Sequence, residues 1–310
     1  MAFDAVLAAL VLGVAIWTVA VRDTFAAIVG FVTFGLLVAL IWVRLAAPDV
    51  ALTEAALGSG LTGGLLVAAS ARLARTEAEA TSELPGAVLQ IAAAIVSVWV
   101  SAGLIALVLL LPEAAPTLAP NVAANIAATG LQNPVTAVLM AYRAIDTLLE
   151  VAVLLLALVG MWSLAPDHLW GGAPGRREPS DPDGVLTFVA QLLVPVGILV
   201  AIHIFWVGSV APGGEFQGAT ILAAMWILAT MAGLANTPPV MRRSLRLLLV
   251  AGSAVFFTIG FAGFVIAGAF LAYPANYAKL LILIIEIPLT LSIAATLALL
   301  VSGPSEQEPE

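Results

Sequence analysis

The chain has 310 residues, 62% of them hydrophobic and only 10% charged, against about 25% charged in soluble domains. That balance excludes a soluble enzyme or nucleic-acid binder and leaves an all-α, polytopic helical membrane protein. Cysteine is absent, which excludes disulfides, thiolate zinc sites and Cys-ligated iron–sulfur clusters. The formal net charge is −8, and the acids cluster in TEAEATSE (76–83), REPSDPD (177–183) and SEQEPE (305–310). Such runs read as solvated loops and a frayed terminus.

A span needs about 20 apolar residues. Nine stretches qualify: Phe3–Val21, Thr24–Val43, Asp49–Ala71, Gly86–Leu111, Pro134–Leu164, Val185–Val207, Gly213–Leu234, Leu247–Tyr273 and Ala278–Val301. Their apolar runs are continuous rather than alternating, which favours helices over a β-barrel. The first run is preceded by Asp4 and ends in Arg22-Asp23, so it reads as a span and not as a cleaved signal peptide. Polar breaks divide the chain into 1–80, 81–170, a Pro/Gly/Asp linker at 171–184, 185–303 and an acidic tail at 304–310. Arg22, Arg72, Arg75, Arg176, Arg177, Arg242, Arg243 and Arg246 fall after odd-numbered spans, with Arg44 and Lys279 as exceptions. The positive-inside rule then puts the N-terminus outside and the C-terminus in the cytoplasm.

In span three, Pro48 suits a first helical turn and Asp49 complements its dipole. Glu54 follows, then the glycine-rich GSGLTGG (58–64), a smooth face for close helix packing. Glu54 reads either as an interfacial residue of a packing helix or as part of a proton or cation path.

Span five carries Tyr142, Arg143, Asp146, Thr147 and Glu150. A charge at membrane depth costs several kcal/mol unless paired or wetted. On one continuous helix Arg143, Asp146 and Glu150 (i, i+3, i+7) share a stripe. The stripe reads as interhelical glue or as a carboxylate relay with Arg143 setting the charge state of both acids.

Span six contains Gln191, Pro195, expected to kink the helix, and His203. His203 is a proton carrier by chemistry, or simply a hydrogen-bonded residue. Pro212, Gly213, Gly214 and Gly218 surround Glu215, Phe216 and Gln217. They permit close backbone approach or a re-entrant ion-binding turn. Span eight is uncharged and reads as packing. Span nine opens near Lys279, which shares a face with the intramembrane Glu286 at i+7, a site candidate by default. There is no P-loop, dinucleotide fingerprint or HExxH, and only two histidines. No catalytic residue, metal or cofactor is expected in this chain.

Three stretches resemble the Mrp-type multisubunit Na+/H+ antiporters and the related membrane modules of energy-converting hydrogenases. AAPDVALTEAALGSGLTGGLL (46–66) looks like the small domain near the end of the large A subunit, a separate D-type subunit in the hydrogenases. NPVTAVLMAYRAIDTLLE (133–150) is similar to the following E-type segment, which usually reads like NVVTAVLxDYRxxDTLGE. IHIFWVGSVAPGGEFQGATILAA (202–224) resembles the B-subunit hallmark, close to HGHxxPGGGFQGG. The resemblance implies an A-subunit tail fused to a B subunit, in the cytoplasmic membrane beside large antiporter-like A/D-type chains and small C, E, F and G-type chains. On the resemblance Glu54, Tyr142, Arg143, Asp146, Thr147, Glu150 and His203 match polar positions of the family. With Glu286, a candidate by its membrane depth, the expected path for H+ and Na+ runs through Glu54, Arg143, Asp146, Glu150, His203 and Glu286, supported by Tyr142, Thr147, Lys279, Gly213, Gly214 and Gln217. Leu149 stands where the family usually has Gly, Glu215 and Ala219 replace two glycines, and one of two expected histidines is missing. The second stretch also resembles the J-type subunit of respiratory complex I, where a helix switches between α and π-bulge forms. Two other readings stay open: a membrane-arm subunit of a hydrogenase or complex-I-like oxidoreductase, and a scaffold for antiporter-like subunits.

Overall fold

The computed structural model describes residues 2–80, 86–111, 117–175, 181 and 183–307. The side chains of 72 and 74–80, and with them Arg72 and Arg75, lie outside that description, as do Arg176, Arg177 and residues 308–310 of the tail. The described residues form helices and no strand: α1 (Ala2–Ala20), α2 (Thr24–Arg44), α3 (Pro48–Thr53), a π-turn (Glu54–Leu61), α4 (Thr62–Ala80), α5 (Ala87–Leu110), α6 (Ala119–Asn125), α7 (Pro134–Ala137), a second π-turn (Val138–Tyr142), α8 (Ala144–Trp162), α9 (Val185–Val207), α10 (Glu215–Met231), α11 (Arg243–Ile266) and α12 (Ala278–Ser302). The chain is a polytopic all-α membrane protein.

Among the described residues, eight segments are long and apolar enough to cross a membrane, and α10, at 17 residues, is shorter. At 1.5 Å per residue α10 still spans about 26 Å, close to the hydrocarbon thickness. Span eight starts and ends earlier than expected. Arg243 and Arg246 open α11, with the Arg246 guanidinium turned back onto Val240 O at 3.1 Å. Gly268 and Leu271, both at positive φ, turn the chain after Ile266. Pro195 and Pro288 lie inside helices that continue through them.

Helix starts follow the local sequence. Asp23 caps α2 by accepting from Ala26 N at 2.7 Å. Asn133 caps α7 by accepting from Val135 N at 2.9 Å, with Pro134 following. Asp49 does something other than serve its own helix. Its carboxylate, 7% exposed, accepts from Gly213 N at 3.0 Å and from Asn133 Nδ2 at 3.2 Å. Asn133 Nδ2 also donates to Ala211 O, and Thr136 Oγ1 donates to Gly208 O at 2.7 Å. Gln217 Nε2 reaches Thr53 Oγ1 at 3.1 Å. One buried carboxylate thus ties span three, the start of α7 and the α9–α10 turn together. The turn can come this close because Gly213 and Gly214 hold φ of +143° and +138°, and a Cβ at Gly213 would strike Ile204 O.

The opposite end has its own clasp. Residues 171–175, expected as a spacer, are built into the fold. Gly172 O accepts from Val240 N at 3.1 Å and from Ser305 Oγ at 3.0 Å, and Gly175 N donates to Pro304 O. The tail through Gln307 is therefore docked rather than frayed, with Ser305 2% exposed. Since Asp4 pairs with Arg44 at 2.9 Å next to the Asp49 knot, the chain begins at one end of the bundle and ends at the other.

The core surrounds α12, which buries residues along nearly its whole length against α8, α10 and α11. Gly252 lets α11 approach within contact of Leu289 and Ser292. α5, by contrast, buries no residue within this chain.

Asp49→Ala removes the acceptor of two buried donors. It should destabilise the detergent-solubilised protein by about 1–3 kcal/mol, read as a lower unfolding temperature. Gly213→Ala should cost at least as much, because it adds a backbone clash at positive φ.

Candidate functional site

The expected stripe on span five does not exist as one continuous helix. After the π-turn, Arg143 N bonds Val138 O, five residues back, at 2.7 Å. Arg143 then takes φ −131° and ψ 37°, and α8 starts afresh at Ala144. Thr147, 3% exposed, repairs the break by donating Oγ1 to Leu139 O at 2.8 Å. Thr147 is thus a structural brace for the broken helix. Arg143 pairs with Asp146 at 2.6 Å, their side chains 70% and 46% exposed. The guanidinium is engaged with one acid, not with both acids of the expected stripe. Tyr142 is 41% exposed beside them.

Glu150 lies one turn on, also on the exposed side of α8, yet close enough to Glu215 for the two charges to interact. Glu215, the first residue of α10, is 6% exposed, and Glu286, in the middle of α12, is 5% exposed. Their side chains hydrogen-bond each other. Two carboxylates cannot both accept, so one of the pair carries the proton. Tyr273, in the α11–α12 connection, adds a buried hydroxyl without a hydrogen-bond partner within electrostatic reach of Glu286. Three carboxyl groups on α8, α10 and α12 therefore lie in sequence from the flank of the chain into its core.

Glu215 is not among the residues that the sequence places on an ion path. Its signal is an acid where the similar family has glycine. The helix break, the Glu215–Glu286 bond and the reach of Glu150 need the fold. The structure does not bring His203 and Lys279 into the cluster. His203 sits on the exposed side of α9 and Lys279 on the exposed side of the first turn of α12, where its stem packs against Gly130 at 3.1 Å from the position of an added Cβ. Glu54 opens the first π-turn and leans over Gly58 toward Gly35 of α2, a separate polar spot. Gly213, Gly214 and Gln217 belong to the Asp49 knot.

Residues 185–303, from the start of α9 to the end of α12, match the family model described as a domain related to the MnhB subunit of Na+/H+ antiporter. Residues 9–75 match the MbhD family, the D-type component of MBH. The chain thus carries an MbhD-like stretch followed by an MnhB-like stretch. The Asp49 knot is where these two regions meet the segment between them. The uncharacterised protein MJ1307 of Methanocaldococcus jannaschii is 31% identical over 156 residues, covering 46% of this chain and 60% of the relative. The Mrp complex of Dietzia sp. contains a chain that superposes with a TM-score of 0.76 at 24% identity, over 98% of this chain and 35% of that one. A chain of the membrane-bound sulfane sulfur reductase, an archaeal respiratory membrane complex, gives a TM-score of 0.53 at 23% identity, over 69% of this chain and 98% of that one. These two likenesses establish the fold. The chain spans about 60% of the length of the curated relative it matches and about a third of the Mrp-complex chain it resembles.

Glu215→Gln keeps a side chain able to hydrogen-bond Glu286 and should leave stability within about 1 kcal/mol. Glu215→Leu strands Glu286 without a partner and should cost about 1–3 kcal/mol. Unfolding of the purified variants under identical detergent conditions measures the difference.

Proposed function

We propose that this chain is an integral subunit of a multisubunit Mrp-type cation/proton antiporter complex and contributes intramembrane carboxylates to the ion path. The observation carrying this reading is the succession Glu150, Glu215 and Glu286 across three helices, with the last two within hydrogen-bonding reach of each other. Each group offers a site for a proton to rest, and each lies on a different helix, so a proton passing among them moves from the flank of the bundle into its core. Glu54 supplies a separate acidic station on the MbhD-type side. Na+ and H+ are the transported species in this reading, and the chain itself holds no catalytic residue, metal or cofactor.

The exposed polar groups support partner chains. Arg143, Asp146, Glu150 and His203 all face outward from the single chain. At membrane depth such groups face protein or water rather than lipid. Large antiporter-like chains and small accessory chains of the Mrp type are the partners that would cover them, and α5 is a further surface for lipid or a neighbouring chain. The arginines after odd-numbered spans orient the N-terminus outside and the C-terminus in the cytoplasm, in the cytoplasmic membrane. The MbhD-type region also favours a second reading, a membrane-arm subunit of a redox complex. Co-purifying chains with Cys-rich cluster motifs would select it.

Glu286→Ala and Glu150→Ala, each introduced into the complex, should lower Na+-dependent proton movement in inverted vesicles by roughly a hundredfold. The co-purifying subunits should be unchanged. Full transport by both variants would defeat the carboxylate path, and loss of assembly without any transport-specific defect would favour a scaffold.

A further inference from the structure

Outside the α8–α10–α12 cluster, the first π-turn holds a hydroxyl with no evident work. Ser59 is 2% exposed, and its Oγ has no hydrogen-bond partner. A buried hydroxyl left unpaired is destabilising, so its presence calls for a ligand. Its neighbour is Glu54, at the start of the same π-turn. A Cβ added to Gly35 of α2 would collide with Ser59 Oγ and lie 3.3 Å from Glu54 Oε1. The hydroxyl and the carboxylate therefore both come close to Gly35, where a side chain would displace them. Gly58 admits the carboxylate in the same way, since a Cβ there would come within 2.9 Å of Glu54 Cδ. The two groups are neighbours that do not bond each other.

We propose that Ser59 and Glu54 are two oxygen ligands of one monovalent-cation site inside the first π-turn. An all-oxygen donor set suits a hard cation. The single carboxylate selects charge. A protonated Glu54 is neutral, and so is its carboxylate with one monovalent cation, whereas a divalent ion would leave a net charge in a low-dielectric site. The exchange balances: Glu54 releases its carboxyl proton to the path as the cation arrives, and regains a proton as the cation leaves. Ser59 Oγ coordinates the cation through a lone pair. Ser59 is thereby a specificity-determining ligand, since its reach from the π-turn sets how far its oxygen stands from the Glu54 carboxylate.

This inference rests on the reading that Glu54 carries exchanged ions, and the test separates the two. The assembled complex in proteoliposomes is assayed for proton movement driven by Na+, Li+ or K+. Ser59→Ala, which deletes only an unpaired hydroxyl, should raise the half-saturating Na+ concentration about tenfold and narrow the preference for Na+ over K+. Ser59→Thr, which keeps the hydroxyl, should restore most of it. Should Ser59→Ala fail to assemble, Ser59→Gly gives the same reading. An unchanged half-saturation and ion preference in the hydroxyl-free variant, with Glu54→Gln inactive, overturns the site and leaves the path intact. Full activity of Glu54→Gln overturns both.

Discussion

A carboxylate buried where three parts of the chain meet governs this fold. Among the described residues Asp49 has no basic partner. Its charge is met by a backbone N–H from Gly213 and an amide from Asn133, and it sits in the first turn of α3, where the helix dipole favours an anion. Such a group is tolerable in the interior only if its donors stay in place. It therefore fixes the height of span three against α7 and of both against the α9–α10 turn. Gly213 and Gly214 are required there because the turn must present an N–H at positive φ within van der Waals distance of Ile204.

That constraint places the candidate site. Holding the α9–α10 turn at the Asp49 knot puts Glu215, next after Gly214, at the head of α10 and against the middle of α12. Glu286 is there because α12 is the axle of the bundle, buried along most of its length. Holding Asn133 to the same knot sets where α7 begins, and the π-turn with the break at Arg143 then decides which side α8 presents. Glu150 consequently approaches Glu215, while Arg143 and Asp146 pair with each other on the outside.

The membrane spans were legible because hydrocarbon demands long apolar helices, and that demand is written residue by residue. The glycine turn was legible for a similar reason: only glycine allows the backbone it needs. Glu150 and Glu286 stood out as acids within apolar runs. The unbroken helix assumed for span five was the misleading feature: Arg143, Asp146 and Glu150 stay on one exposed side, but the break at Arg143 re-aims all three relative to the residues before it. His203 looked like a carrier on chemical grounds, yet which side of α9 faces the core depends on packing against α10.

The sequence alone determined the class of the protein, the positions of its spans, its lack of thiol chemistry and the presence of acids at membrane depth. These follow from the solvent each residue must satisfy, which is local information. Only the tertiary structure decided which acids meet. It joined Glu215 to Glu286, set Glu150 beside them, turned Asp49 from a helix-end residue into the knot of the fold, and brought Ser59 and Glu54 together against Gly35. Those relations depend on helix rotation and depth, and small local events set both: two π-turns, one helix break and a few glycines.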